Sequence, residues 1–367
     1  MTSERAAAPG ASVRAARKDD HVRLALQQRE GRSARNEFDD LEFLHHALDG
    51  VDAERVDLSV RVGEWSWATP FYVNGMTGGT DLTERINRQL AIAARETGMP
   101  MACGSMSIAI DDPSTARSFA VIREENPSGF VMANLGAGRS ADDALRAVEL
   151  LQANALQLHV NPVQETAMPE GSRDFSGWLV GLERIVEASP VPVVAKEVGF
   201  GLSRRTLEKL RGIGVRVADV SGTGGTDFLG IENSRATAAD DFSMLTGFGQ
   251  SALACLLDAP ADGPALLASG GVRHPYDVVK ALAAGARGVG VAGAFLQTVM
   301  DGDAEALVTL VRGWLTQTRA LFALLGAENA EQLASTDLIL RGRLGEFCRL
   351  RGIDPAEFSR RSERRPA

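Results

Sequence analysis

The stretch GFVMANLGAGRSADDALRAVELLQANALQLHVN, residues 129–161, decides the fold. It opens on the apolar run GFVMANLG (129–136) and closes on another, ALQLHVN (155–161). Both runs are continuous rather than alternating, the pattern of parallel strands covered on both faces. Between them SADDALRAVELLQAN (140–154) places apolar residues at helical spacing, with Ser140 positioned as an N-cap and acidic residues in the first turn. Strand, helix and strand in this order make a parallel βαβ unit.

Outward from this unit the alternation persists from residue 68 onward. The other strand candidates are PFYVNGM (70–76), MPMACGS (99–105), VPVVAKEVG (191–199), VRVADVSG (215–222), PALLASGG (264–271) and GVGVAGAFL (288–296). Eight β-then-α units predict an α/β fold, a (β/α)8 TIM barrel with an N-terminal extension and a C-terminal helical tail. A doubly wound open sheet is the alternative, but its first unit would need a glycine fingerprint that the sequence lacks. The expected organisation is a disordered tail over 1–16, an N-terminal segment over 17–67 that contributes to the active site, the barrel over 68–300, and C-terminal helices over 301–367.

Length and composition narrow the classes. A chain of 367 residues can bury a sizeable core. The formal net charge of −9 argues against a nucleic-acid coat or an anionic membrane surface as partner, so an anionic ligand would need locally focused positive charge. Cys103, Cys255 and Cys348 stand far apart with no CxxC spacing, which predicts a reduced, cytoplasmic protein without structural zinc or disulfides. No run approaches the ~18 apolar residues of a membrane span. The N-terminus, MTSERAAAPGASVRAAR, lacks the apolar core of a secretory signal and reads as a disordered tail rather than a transit peptide.

In a (β/α)8 barrel chemistry gathers at the carboxyl ends of the strands. The segments there are MTGG (76–79), GSMS (104–107), NLGA (134–137), HVNPVQE (159–165), KEVG (196–199), SGTGGT (221–226), SGGVR (269–273) and AGAF (292–295). Every one is rich in glycine or polar atoms, whereas the opposite ends carry Pro70, Pro100 and Pro192. One large site at the carboxyl face is expected. The glycines of SGTGGT and SGGVR allow close backbone approach and an N–H nest for phosphate, as well as tight turns alone. GFGQ (247–250) and GVGVAG (288–293) are weak dinucleotide signals, since neither opens a helix after a first strand.

Lys196 ends an otherwise apolar strand, where burial is costly unless it meets an anion or a conjugated carbonyl system. It suits a Schiff-base nucleophile, a cation at the N1–C2=O edge of a flavin, or a structural pair with Glu197. Asn134 and Ser105, at neighbouring strand ends, are compatible with hydrogen bonds to a planar heterocycle. Along HVNPVQE, Gln157, His159 and Asn161 share one strand face, and Leu156, Leu158 and Val160 the other. Pro162 then breaks the ladder, so Gln164 and Glu165 are expected in a loop above the barrel mouth. One carboxylate combined with substrate phosphate oxygens suits Mg²⁺ rather than Zn²⁺. Before the barrel, RKDDH (17–21) offers Arg17, Lys18 and His21 as a cationic cluster for a diphosphate; on its own it also fits a solvated helix start.

Together RKDDH, NGMTGGT, ANLGA, HVNPVQE, MPEG, VAKEVGFG, SGTGGTDF, IEN, ASGGVRHPYDVVKALAAGA and LILRGRLGEFCRLRGID resemble the type 2, flavin-dependent isopentenyl-diphosphate delta-isomerases over roughly residues 17–353. The resemblance implies interconversion of isopentenyl and dimethylallyl diphosphate in isoprenoid biosynthesis, with reduced FMN as acid/base cofactor, NADPH as reductant and Mg²⁺ on the diphosphate. It places FMN on Gly75, Met76, Thr77, Ser105, Asn134, Lys196, Ser221, Thr226, Gly271, Val272, Arg273, Ala292 and Gly293. Arg17, Lys18, His21, Ser107 and Gln164 would bind substrate. His159, Asn161 and Gln164 would serve catalysis, and Glu165 would hold the metal. Some members carry GSQR where this chain has GSMS, with Met106 and Ser107, which shifts diphosphate binding toward Arg17, Lys18 and His21. A cytoplasmic homo-oligomer, a tetramer or octamer, is implied by the same resemblance.

Three rival readings remain. An FMN-dependent 2-hydroxy-acid oxidoreductase would want a histidine base and an arginine pair after the late strands, of which SGGVRHP offers part. A nucleotide dehydrogenase would want a reactive cysteine, for which Cys103 is the strand-end candidate. A non-catalytic phosphate-binding barrel leaves HVNPVQE without a role. The mouth is closed by the N-terminal segment, by 227–245, or by both.

Overall fold

The computed structural model describes residues 9–31, 35–235 and 241–364. Eight parallel strands close into a barrel: β1 (Phe71–Val73), β2 (Met101–Ala102), β3 (Val131–Gly136), β4 (Ala155–Val160), β5 (Val193–Glu197), β6 (Val217–Asp219), β7 (Ala265–Ser269) and β8 (Gly288–Val291). Each pairs with its sequence neighbours, and β8 returns to β1 with Val289 opposite Phe71. All eight expected strands are present, each within its predicted run.

The unit that decided the fold behaves as its pattern requires. Ser140 and Asp143 form a capping box on the helix Ala141–Leu151, which turns Ala144, Ala147, Val148 and Leu151 inward. Register then builds the site. Across β3 and β4, Asn134 stands opposite Gln157 and Gly136 opposite His159. Across β4 and β5, His159 stands opposite Lys196. Leu156 and Leu158 are fully buried on the alternate face, each contributing about 1.5–3 kcal/mol of apolar burial.

The N-terminal extension works at both ends of the barrel. The antiparallel hairpin Val60–Val62 and Trp65–Trp67 covers the amino end, where Trp67 packs on Tyr72 and Phe130 at centroid distances of 5.5 Å. The helix Pro9–Gly31 lies over the carboxyl end, where Arg17, Lys18, His21 and Val22 face the cavity. It begins at Pro9, so the tail expected over 1–16 is helical from that point, and residues 1–8 lie outside the described residues.

The C-terminal helical tail is present with one strand added to it, and one further expectation needs correction. The C-terminal segment adds the strand Leu338–Leu340, which pairs antiparallel with Leu41–Phe43 and ties the two extensions together. Its long helix Ala304–Leu324 packs on the barrel through Trp314, which contacts Phe71 and Phe295. Gln164 and Glu165, expected in a loop, lie instead in the short helix Pro162–Ala167. Pro162 does end the ladder, but at the first helical position its fixed φ and missing N–H also favour a helix start.

Candidate active site

A cavity of about 1420 Å³ opens at the carboxyl end of the barrel. Its lining includes residues from the N-terminal helix and from all eight strand-end segments. Seven Lys or Arg side chains line it against four acids, so positive charge is concentrated in a chain that is acidic overall. The site residues expected from sequence all line this cavity: Arg17, Lys18, His21, Gly75, Met76, Thr77, Ser105, Ser107, Asn134, His159, Asn161, Gln164, Glu165, Lys196, Ser221, Thr226, Gly271, Val272, Arg273, Ala292 and Gly293.

The wall toward β3 and β4 is a fixed chain of amides and imidazole. Asn134 Nδ2 donates to Gln157 Oε1 at 3.1 Å, and Asn134 Oδ1 lies 2.7 Å from His159 Nδ1. Burial, with the nearby charges of Lys18 and Lys196, pushes His159 down to about 3, so the ring is neutral and Nδ1 carries the hydrogen.

Gln164 is held at both ends of its amide. Its Oε1 accepts from Asn161 Nδ2 at 3.2 Å, and its Nε2 donates to Glu232 Oε1 at 2.9 Å. Glu232 is fully buried and was not singled out in the sequence beyond its place in IEN. The same Oε1 lies 3.1 Å from His21 Nε2, and Oε2 accepts from Arg235 Nη1 at 2.6 Å. Burial raises the Glu232 carboxyl, but His21, Gln164 and Arg235 more than offset that and hold it below the ordinary range. One carboxylate therefore joins the N-terminal helix to the HVNPVQE segment. Glu165 accepts from Asn161 Nδ2 at 3.3 Å and from the Ser172 N–H at 2.8 Å.

The opposite wall is made by glycine loops in mutual contact. Gly270 has φ +95°, and a Cβ there would meet Gly222 O at 2.0 Å. A Cβ on Gly225 would meet Gly271 N at 2.9 Å, so the loops after β6 and β7 approach as only glycine permits. Among the described residues the N–H groups of Gly225, Thr226, Gly271 and Val272 have no acceptor, which suits an anion or a cofactor edge. Thr77 Oγ1 is likewise buried in the wall without a partner. An orphaned hydroxyl, free N–H groups and a buried ammonium fit a planar polar cofactor carrying a phosphate.

Lys196 does not pair with the Glu197 side chain. Its Nζ donates to Glu197 O at 2.8 Å and Ser221 Oγ at 3.0 Å, and lies 3.4 Å from Asp219 Oδ2. Glu197 instead turns back into its own loop, accepting from the N–H groups of Val198, Gly199, Phe200 and Gly201. Burial pushes it up to about 7 against the pull of those donors.

Arg273 lines the cavity, but its guanidinium is occupied. It bonds Asp39 at 2.7 and 2.9 Å and Asp277 at 2.8 and 2.9 Å. The neighbouring His274 caps the helix Pro275–Ala283 by accepting from the Asp277 N–H. A histidine base with a ligand-facing arginine is not what SGGVRHP builds. Cys103 is buried and pushed up to about 12, so it presents no reactive thiolate.

Both candidate lids contribute. Gln28 clamps Asp227 through two hydrogen bonds of 2.9 Å, one each way, while Phe228 joins the cavity lining. Residues 236–240 of the 227–245 segment lie outside the described residues.

Residues 151–340 match the FMN-dependent dehydrogenase family. The chain is 53% identical over 348 residues to the isopentenyl-diphosphate delta-isomerase of Streptomyces sp. (strain CL190), covering 95% of this chain and 96% of that protein. The isopentenyl-diphosphate delta-isomerase of Nocardia farcinica is 54% identical over 94% of this chain and 96% of its own length. That of Staphylococcus epidermidis is 41% identical over 93% and 98%. Among solved structures, a mandelate oxidase variant aligns with TM-score 0.61 at 17% identity, covering 89% of this chain and 95% of that one. A flavocytochrome b2 variant aligns with TM-score 0.61 at 21% identity, covering 86% and 79%. At those identities the two structures bear on the barrel fold alone.

Proposed function

The chain belongs to the isopentenyl-diphosphate delta-isomerase family that carries the FMN-dependent dehydrogenase domain, and we propose from that premise how its residues divide the work. The protein is an FMN-dependent isomerase that interconverts isopentenyl and dimethylallyl diphosphate. The reaction adds a proton at one carbon and removes one from another, with no net redox change. Reduced FMN, when bound, would supply the acid/base chemistry, because the Gln164 amide at the centre of the site is too weak an acid to begin it.

In our reading Thr77, Asn134, Lys196, Ser221 and the N–H groups of the glycine loops hold the flavin. Arg17 and Lys18 grip the diphosphate, and His21 does so from its place beside Glu232. Neutral His159 and Asn161 orient the hydrocarbon end. Gln164, whose amide plane is fixed by Asn161 and Glu232, keeps a second Nε2 hydrogen for the cavity and positions the proton being moved. An amide is too weak an acid to protonate an alkene unaided. The double anchoring of Gln164 carries this assignment, because a side chain serving only to fill space needs neither partner.

Glu165 is our candidate Mg²⁺ ligand. Among the described residues no three His, Cys, Asp or Glu side chains gather as a cage, which suits a cation shared between one carboxylate and substrate phosphates. NADPH as reductant, a homo-oligomeric state and a place in isoprenoid biosynthesis follow from the resemblance. A cytoplasmic setting fits three buried free thiols, and among the described residues no helix is long and apolar enough to cross a membrane. The deciding test is incubation with isopentenyl diphosphate, FMN, NADPH and Mg²⁺: dimethylallyl diphosphate is the expected product, and its absence from FMN-loaded protein would refute the reading.

A further inference from the structure

Beneath the cavity floor lies a carboxylate for which the proposed mechanism has no use. Asp219, the last residue of β6, is completely buried and does not line the cavity. It collects polar partners from three other strands or their ends. Tyr72 Oη donates at 2.8 Å, Ser269 Oγ at 2.8 and 2.9 Å to the two oxygens, and Asn74 Nδ2 sits at 3.5 Å. Lys196 Nζ lies 3.4 Å from Oδ2.

The remaining contact is with backbone. Asp219 Oδ1 accepts the Ser221 N–H at 3.0 Å, and Ser221 has φ +37°, unusual for a residue with a side chain. Such a conformation persists only where its surroundings over-determine it. Ser221 Oγ in turn accepts from Lys196 Nζ at 3.0 Å. Asp219 therefore fixes Lys196 twice, directly by charge and indirectly through the backbone of Ser221. A buried lysine needs one counter-ion to be tolerated; a five-donor carboxylate acting along two routes exceeds that need.

We propose that Asp219 is a positioning residue that sets how strongly the Lys196 cation acts on bound flavin, and so sets the flavin's reduction potential. The inference rests on the reading that Lys196 faces the flavin. Reduced flavin carries negative charge at its N1–C2=O edge, and a nearby cation favours it. A carboxylate behind that cation withdraws part of its field, keeping the reduced cofactor from being over-stabilised where it must exchange protons.

The test is the midpoint potential of FMN bound to the full chain, measured against a reference dye for wild type, Asp219→Asn, Lys196→Gln and the double variant. Asp219→Asn should favour reduced over oxidised FMN about tenfold more than wild type, a positive shift of about 30 mV for a two-electron couple. In the Lys196→Gln background the same change should move the ratio less than twofold. Tyr72→Phe keeps the carboxylate but removes a donor that spreads its charge, so it should shift the potential the other way, at least twofold in ratio. A generally loosened barrel would not produce shifts of opposite sign. If Asp219→Asn does not fold, the sign for Tyr72→Phe decides, and no shift or a positive one overturns the proposal. FMN uptake with a potential unmoved by Asp219→Asn overturns it alone, whereas a wild-type chain that takes up no FMN overturns the flavin reading with it.

Discussion

The Nδ1 atom of His159 lies 2.7 Å from Oδ1 of Asn134, and the Asn134 amide is oriented by its other bond, to Gln157. The imidazole is thus held neutral with its hydrogen on Nδ1. Burial lowers its pKa from the ordinary 6.5 to about 3. Between those values the unfolded chain binds a proton that the folded chain refuses, so stability rises with pH across this window and falls as pH drops toward 3. His159→Gln should flatten the dependence by up to about 1.4 kcal/mol per pH unit. Denaturant titrations at pH 4, 5 and 6 would check it, and equal slopes for the two proteins would sink the assignment.

Lys18 gives a prediction at the other end of the scale. Burial, and then the charge of Arg17, lowers it from 10.5 to about 8. The ammonium is therefore charged below that value and loses its proton as pH rises through it. Relative to Lys18→Met, wild-type affinity for a diphosphate should be higher below about pH 7 and lose that advantage above pH 8. Calorimetric titration with inorganic diphosphate from pH 6 to 9.5 reads both. A parallel decline in the two proteins would move the effect to another group.

The parts legible in sequence were those encoded locally. Strand and helix periods from residue 68 onward placed all eight strands, and the strand-end rule turned that order into the lining of one cavity. Pro162 was ambiguous because the same ring that ends a ladder favours a helix start. Asp219 had a signal that passed unused: like Lys196 it is a charge in an apolar strand, and the two answer each other across the barrel floor. Glu232 and Asp39 could not be found this way. Asp39 meets Arg273 across 234 positions, and Glu232 meets Gln164 across 68, with no periodicity linking either pair.

Glu232 should behave as a positioning residue for Gln164. Glu232→Gln keeps the shape but removes the charge that orders His21, Gln164 and Arg235. Turnover should fall about tenfold to hundredfold, or about 1.4–2.7 kcal/mol in barrier, with FMN affinity unchanged because Glu232 does not line the cavity. Gln164→Leu should abolish turnover, also with FMN retained. Wild-type kcat in Glu232→Gln would show that Asn161 alone suffices to hold the amide.

Glu165 differs from Glu232 in exposure and in purpose. It lines the cavity, and its oxygens are only partly occupied, by Asn161 Nδ2 and the Ser172 N–H. A carboxylate left accessible beside cationic side chains would weaken diphosphate binding by repulsion unless a cation stands between them. Mg²⁺ should therefore strengthen binding of isopentenyl diphosphate to the FMN-loaded wild type. Glu165→Gln removes the repulsion and the metal ligand together, so its metal-free affinity should match or exceed wild type while the gain on adding Mg²⁺ shrinks at least tenfold. Binding titrations with and without EDTA separate the two effects. An undiminished Mg²⁺ gain in Glu165→Gln would place the metal on substrate phosphates alone and leave Glu165 as the anchor of the Ser172 loop.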